Sequence, residues 1–241
     1  MPKSSLTYIG HRERAQNKLL KTESLDMLAD YELLELILMK AIPRRDVKPL
    51  AKEMLAYFGS IGKVLTASSD ELEQFPYVKS ATVALFKLIV ESNKRLLETN
   101  LKEVPVLKAW DTLLDYCCLA LQYERIERCM VLYLDAQYRL LRREIKQNGT
   151  IDRVAVYPRE IVKQALLYGA ASVVVVHNHP SGWVEPSESD FKLTNEIYHA
   201  LDTVRIQLVD HLIIGEGRRI YSFGANGHLT VAPKYTSKSS K

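Results

Sequence analysis

The chain has 241 residues, of which 47% are hydrophobic and 26% are charged, a composition that is ordinary for a soluble protein with a packed core. Residues 1–100 carry 15 basic and 13 acidic side chains and residues 101–241 carry 18 and 16, so neither half resembles a dedicated phosphate-binding surface. No apolar run is long enough to cross a bilayer, which predicts that the protein has no membrane partner.

The length allows one large domain or two modest ones. The first 18 residues contain no apolar stretch after the first lysine, so no secretory signal is predicted. Three cysteines form no CxxC pair, which predicts no disulfide framework and a reducing, cytoplasmic location.

Residues 1–103 are predicted to form a helical domain. Ser68 and Glu71 have the spacing of a capping box at the start of one helix. A longer helix shows one apolar face, formed by Ala81, Ala84, Leu85, Leu88 and Ile89. This helix becomes polar and is followed by Val104 and Pro105, so we place the domain boundary between residues 103 and 104.

Residues 104–232 alternate helical and strand patterns, which predicts an α/β domain with a mixed β-sheet flanked by helices. The predicted order is a helix over 111–121, strands over 128–135 and 139–145, a helix within 157–170, a strand over 172–179, a helix over 187–201, and strands over 206–215 and 218–223. Residues 233–241 are polar and are predicted to be a disordered tail.

The segment HNHPSGWVEPSESD, residues 177–190, has the most informative pattern. His177 and His179 are two residues apart at the end of a predicted strand, so both imidazoles project from one face. Pro180 ends the strand, and the following loop places Asp190 at the start of a helix. Two imidazole nitrogens and one carboxylate suit one Zn²⁺ ion and leave a fourth position for water, so the sequence predicts a zinc site.

Ser187 and Asp190 also have the spacing of a capping box, which alone would explain both residues. That alternative does not explain two histidines on one face of the preceding strand. The two interpretations are compatible, because an aspartate in the first turn of a helix is a well-oriented metal ligand.

The pattern E…HNHP-x6-S-x2-D resembles the signature of the MPN/JAMM metalloprotease domain, and the surrounding chain resembles more narrowly the bacterial RadC family. The supporting stretches are HRERAQNKLL, DYELLELIL, NGTIDRVAVYPREIVKQAL, HNHPSGWVEPSESD and VDHLIIGEG. The resemblance implies a helix-hairpin-helix-like domain for residues 1–103 and a JAMM-type zinc hydrolase domain for residues 104–232.

The resemblance also implies a role for each motif residue. His177, His179 and Asp190 would bind zinc, Ser187 would hydrogen-bond the developing oxyanion, and Glu144 would be the general base. The alternative for Glu144 is an exposed strand residue among Arg142, Arg143 and Lys146. Glu160 is the second candidate for the base, although a carboxylate early in a helix also stabilises the helix dipole.

The chain departs from the family pattern at two places. Residues 75–79, FPYVK, contain no glycine where such families place the Gly-hydrophobic-Gly hairpin that meets a DNA phosphate, which disfavours phosphate binding there. Arg44 and Arg45 are either phosphate contacts or a solvated charge pair. Trp183 stands where the family usually has a polar residue. One interpretation is that it binds a substrate or partner, and the other is that it packs within the loop.

Asp210 and His211 resemble another recurrent dipeptide of the family. Either His211 contacts a metal-binding imidazole and keeps it in place, or the pair makes a buried structural hydrogen bond.

The predicted function is a zinc-dependent hydrolase of JAMM type that cleaves an amide bond, either peptide or isopeptide, in a peptide or protein substrate. One alternative is a DNA-associated repair or recombination factor, including a nuclease, because a zinc-activated water can also attack a phosphodiester. The other alternative is a scaffold without catalytic activity whose metal site is a relic.

Overall fold

The computed structural model describes residues 10–21, 28–146 and 157–229. The chain forms two compact units, residues 1–92 and 93–241, which divide inside one long helix. The sequence pattern placed the domain boundary eleven residues later, after residue 103, where this helix ends. The predicted tail, residues 233–241, lies outside the described residues.

The described part of the first unit is helical. Its helices are α1 (His11–Lys21), α2 (Asp30–Ala41), α3 (Lys48–Phe58), α4 (Ile61–Thr66), α5 (Ser69–Leu72) and the first part of α6 (Ser80–Glu103). The predicted capping box is confirmed at α5, where the Ser68 hydroxyl accepts from the Glu71 N–H and the Glu71 carboxylate accepts from the Ser68 N–H.

The apolar face predicted for α6 is wrong. Leu88 is 63% exposed, and the buried residues of this part of the helix are instead Thr82, Val83 and Phe86. Phe86 packs in the core of the first unit and offers far more apolar area than the two alanines of the predicted face. The buried face of α6 is therefore the one that carries Phe86.

The second unit is an α/β layer structure, as the sequence predicted. Its elements after α6 are α7 (Trp110–Leu121), β1 (Cys129–Leu134), β2 (Leu140–Lys146), α8 (Pro158–Tyr168), β3 (Ser172–Asn178), α9 (Glu188–Thr203), β4 (Gln207–Ile214) and β5 (Ile220–Ser222). The strand order is β2-β1-β3-β4-β5. Only the β3–β4 pair among these strands is parallel, so the sheet is mixed.

Helices cover both faces of the sheet. Met130, Leu132 and Val174 face the core that contains α7, whereas Val131 and Val175 face the core that contains α8 and α9. Every residue of β3 is buried because the strand is covered on both sides, which explains its run of four valines. Within the described ranges, no helix has the length and apolar character needed to cross a membrane.

Candidate metal centre

The end of β3 and the start of α9 are joined by a loop that is tightly packed against β4. The His179 N–H donates to the Ile214 carbonyl at 3.0 Å, which keeps the chain beside β4 after β3 has ended. Gly182 has a φ of +81°. A Cβ atom on Gly215 would lie 2.4 Å from the Gly182 carbonyl oxygen, so this approach of two backbones requires a residue without a side chain.

This loop brings the three predicted metal ligands together. The Nε2 atoms of His177 and His179 are 3.1 Å apart. Asp190 Oδ1 lies 3.4 Å from His177 Nε2, and Asp190 Oδ2 lies 3.6 Å from His179 Nε2. The three side chains form a largely buried group that could hold one metal ion between them.

The charges of this group suit metal binding. Burial lowers the pKa of His177 to about 4, because an imidazolium cation is poorly solvated there, so the ring is neutral at neutral pH. Burial alone would raise the pKa of Asp190, but the nearby His179 imidazole and the hydrogen bonds from Ser187 outweigh it and hold the pKa well below its usual range. The same contact with Asp190 raises the pKa of His179. The group therefore offers a carboxylate and a neutral imidazole for coordination.

Ser187 holds Asp190 in the first turn of α9. Its hydroxyl donates to Asp190 Oδ2 at 2.6 Å, and its backbone N–H donates to the same oxygen at 2.7 Å. The Asp190 N–H in turn donates to Ser187 Oγ, which completes the predicted capping box. Ser187 is exposed beside the three ligands, so its hydroxyl is accessible to a bound molecule.

Glu144 lies outside the group of three ligands but on the same face of the sheet. It pairs with Val131 on β1, which pairs with Val175 on β3, two residues before His177. The carboxylate is partly buried and accepts hydrogen bonds from the hydroxyls of Tyr168 at 2.6 Å and Tyr133 at 3.4 Å. Glu144 is therefore partly buried rather than exposed, and it contacts one of the basic neighbours that the alternative named.

Lys146 is the third partner of Glu144, and its ammonium group contacts Glu144 Oε2. Burial raises the pKa of Glu144, but the hydrogen bonds from Lys146 and Tyr168 outweigh burial, so the pKa is lowered and the carboxylate is ionised at neutral pH. Glu160, the second candidate for the base, lies in the first turn of α8, where its carboxylate is 3.8 Å from Arg159 Nε.

Each of the two histidines also has a contact at its other ring nitrogen, Nδ1. His179 Nδ1 lies 2.9 Å from the Trp183 carbonyl oxygen, whereas Trp183 itself is 67% exposed and its ring lies beside Arg219.

His177 Nδ1 lies 2.9 Å from His211 Nε2, so His211 contacts a predicted ligand. His211 Nδ1 lies 2.6 Å from the hydroxyl of Thr194, a residue that the sequence analysis missed although it is four positions after Asp190 on the same helix.

Comparisons with known proteins agree with this architecture. A family model described as RadC-like JAB domain matches residues 107–228, a range that contains all five residues of the predicted site. The chain belongs to the RadC family. Its JAB domain is a hydrolase-type fold of the JAMM kind.

Two curated relatives support membership in the RadC family over most of the chain. A UPF0758 protein of Rhodobacter capsulatus is 44% identical over 208 residues, which are 86% of this chain and 97% of that protein. A UPF0758 protein of Ruegeria pomeroyi is 41% identical over 219 residues, which are 91% of this chain and 97% of that protein. These names state no activity, so the chemistry proposed for this chain rests on the geometry of its own site.

Proposed function

We propose that this RadC protein is a zinc-dependent hydrolase that cleaves an amide bond in a peptide or protein. In this proposal His177, His179 and Asp190 bind the metal ion, Glu144 is the general base, and Ser187 stabilises the oxyanion. The observation that supports it most strongly is the convergence of two imidazole Nε2 atoms and the two oxygens of one carboxylate, at distances of 3.1, 3.4 and 3.6 Å.

A tetrahedral zinc ion with bonds of about 2.0–2.2 Å holds its ligand atoms about 3.3–3.6 Å apart. The two histidine–aspartate distances, 3.4 and 3.6 Å, lie in that range, and the 3.1 Å between the two imidazole nitrogens is slightly shorter. Three protein ligands without a thiolate resemble a catalytic zinc site more than a structural one, because a fourth position stays open. Zinc bound there would lower the pKa of a coordinated water to about 7 and polarise the carbonyl of an amide.

Glu144 can serve as the base because its carboxylate is ionised and points to the same face of the sheet as His177. β1 lies between β2 and β3, which puts the backbones of these two strands about 10 Å apart. Side chains from both strands can approach a substrate held over β1. A Glu144 oxygen would take a proton from the attacking water and later deliver it to the leaving amine nitrogen.

Ser187 would act after a change of hydrogen-bond partner. Its hydroxyl proton now points to Asp190 Oδ2. Rotation about the Cβ–Oγ bond would direct the proton to the negative oxygen of a tetrahedral intermediate, where one hydrogen-bond donor contributes about 3–4 kcal/mol of transition-state stabilisation. The backbone N–H of Ser187 would keep Asp190 oriented during that change, because it donates to the same carboxylate oxygen.

The test of this proposal is Glu144→Gln, which keeps the shape of the side chain but removes the base. We expect this variant to bind as much zinc as the wild type and to lose at least about 100-fold in turnover of a responsive peptide or isopeptide substrate. Glu160→Gln is the matched control and should keep both. Loss of zinc by Glu144→Gln, or full activity, would remove Glu144 from the role of base.

DNA binding by the first unit is the alternative function, and one local feature favours it. Tyr77 has a φ of +68° in the loop between α5 and α6, so the turn adopts a left-handed conformation there without glycine. The Arg45 guanidinium lies 3.9 Å from the centre of the Tyr77 ring, which places a cation at this turn. A DNA affinity that falls steeply with salt and weakens in Arg45→Gln would support this function.

A further inference from the structure

A chain of hydrogen bonds leads from His177 to the interior of the second unit. It runs from His177 Nδ1 to His211 Nε2 at 2.9 Å, from His211 Nδ1 to Thr194 Oγ1 at 2.6 Å, and from Thr194 Oγ1 to the Asp190 carbonyl at 2.6 Å. His177, His211 and Thr194 are all buried. We call these three side chains and the Asp190 carbonyl the histidine relay.

The direction of every proton in the histidine relay follows from its last bond. A carbonyl oxygen can only accept, so the single hydroxyl proton of Thr194 must point to the Asp190 carbonyl. Thr194 Oγ1 can then only accept from His211, which places a proton on His211 Nδ1. A neutral imidazole carries one N–H, so His211 Nε2 has a free electron pair and faces His177 as an acceptor.

His177 must therefore carry its proton on Nδ1, where it donates to His211 Nε2. This leaves the electron pair of His177 on Nε2, the atom that lies 3.1 Å from His179 Nε2 and 3.4 Å from Asp190. The neutral state of His211 agrees with its complete burial and with its stacking against the Phe223 ring at 4.8 Å between centroids.

We propose that Thr194 and His211 are positioning residues that fix the tautomer of His177, so that Nε2 is its metal-binding atom; this inference rests on the metal site of the proposed function. The opposite tautomer of His177 would carry a proton on Nε2 and could not coordinate. His179 reaches the same tautomer by a different route, because its Nδ1 faces the carbonyl oxygen of Trp183. The two ligand imidazoles are thus oriented by independent acceptors.

The decisive variant is Thr194→Val, which removes the hydroxyl with little change in volume. Without Thr194 Oγ1, the Nδ1–H of His211 has no partner at that position, so the His211 proton is expected to move to Nε2. His177 then becomes the acceptor and carries its proton on Nε2. Because ligand imidazoles depend on such outer contacts, we expect zinc affinity to fall about 10–100-fold. Thr194→Ser keeps the hydroxyl and should restore affinity.

Thr203→Val is the matched control on the same helix. The Thr203 hydroxyl donates to the His199 carbonyl at 2.9 Å, the same backbone contact that Thr194 makes, but no imidazole contacts it in the described structure. If the role of Thr194 were only to stabilise α9 through the Asp190 carbonyl, Thr194→Val would leave the tautomer of His177 unchanged, whatever its effect on zinc affinity. The histidine relay predicts a loss of affinity for Thr194→Val alone, measured by competition with a chelator.

The tautomers can be measured without metal or activity. Long-range ¹H–¹⁵N correlation spectra of the metal-free protein, at a pH at which the imidazoles are neutral, distinguish Nδ1–H from Nε2–H. The proposal expects Nδ1–H on His177 in the wild type and in Thr194→Ser, and Nε2–H in Thr194→Val. A wild-type His177 with its proton on Nε2 would overturn the proposal even if the valine variant failed to fold.

Zinc binding and the tautomer of His177, measured together, distinguish this proposal from the proposed function. Nδ1–H on wild-type His177 without any zinc binding would overturn the metal site but support the orientation of His177 by the histidine relay. Zinc binding that is unchanged in a folded Thr194→Val variant would overturn the histidine relay and leave the metal site standing.

Discussion

Glu144 and Lys146 are two residues apart on β2, so their side chains point to the same face of the sheet and their charged groups meet. The contact has two consequences for the proposed base. It keeps the carboxylate ionised, which a base requires, and it lowers the pKa, which makes the carboxylate a weaker acceptor of protons. Approach of a substrate would have to draw Glu144 away from Lys146 for the base to gain strength.

This interpretation predicts the effect of Lys146→Met. Lys146 favours the ionised carboxylate, so its removal should raise the pKa of Glu144, and as pH falls the carboxylate should become protonated at a higher pH than in the wild type. The ¹³C chemical shift of the Glu144 carboxyl group, followed over an acid titration, measures the change. Arg142→Met removes an equal charge from the same strand and should have the smaller effect. Equal shifts in the two variants would contradict a specific contact.

At the scale of elements, the packing of the loop between β3 and α9 determines where the ligands lie. Gly215 contacts this loop through the backbone of Gly182 and the side chain of Val184. We predict that Gly215→Ala costs roughly 1–3 kcal/mol of the free energy of unfolding, because the new methyl group overpacks this contact. The displaced loop should also weaken zinc binding.

Gly59→Ala is the control for that prediction. Gly59 ends α3 with a φ of +85°, and a Cβ atom there would meet no heavy atom within 4 Å. Its substitution should destabilise the protein through backbone strain alone and leave zinc affinity unchanged. Chemical denaturation and chelator competition would report the two quantities separately. Wild-type zinc affinity in a folded Gly215→Ala variant would show that the loop does not position the ligands.

The elements around the site could be predicted from the sequence because their signals are local. β3 has a continuous apolar run, and α9 begins with the Ser187–Asp190 capping box. The contact between Thr194 and His211 could not be predicted, because it depends on how α9 packs against β4 rather than on spacing along the chain. The buried face of α6 was missed for a similar reason, since two apolar faces compete and tertiary packing selects the one with Phe86.

At the scale of the whole molecule, the three cysteines report on the integrity of the second unit. Cys117 and Cys118 lie in the core on the α7 side of the sheet, and Cys129 lies in the core on the other side. Burial raises the pKa of Cys118 to about 11 and of Cys129 to about 12, and it raises the pKa of Cys117 well above its ordinary value. All three thiols are therefore protonated and shielded in the folded protein.

We predict that none of these thiols reacts rapidly with an aromatic disulfide reagent in the native protein at about pH 8, since reaction requires an accessible thiolate. All three cysteines should react after unfolding in guanidinium chloride. The absorbance of the released thiolate measures both reactions. Rapid modification of the native protein would show that the cores on the two faces of the sheet open more readily than the packing implies.

The most direct test of the central claim is the metal content of the purified protein, measured by elemental mass spectrometry. The wild type is compared with the double variant His177→Ala/His179→Ala, each before and after incubation with zinc and removal of the excess. We predict about one zinc per wild-type chain and almost none in the variant. No metal in the wild type even after incubation, or equal zinc in both proteins, would contradict a zinc centre at His177, His179 and Asp190.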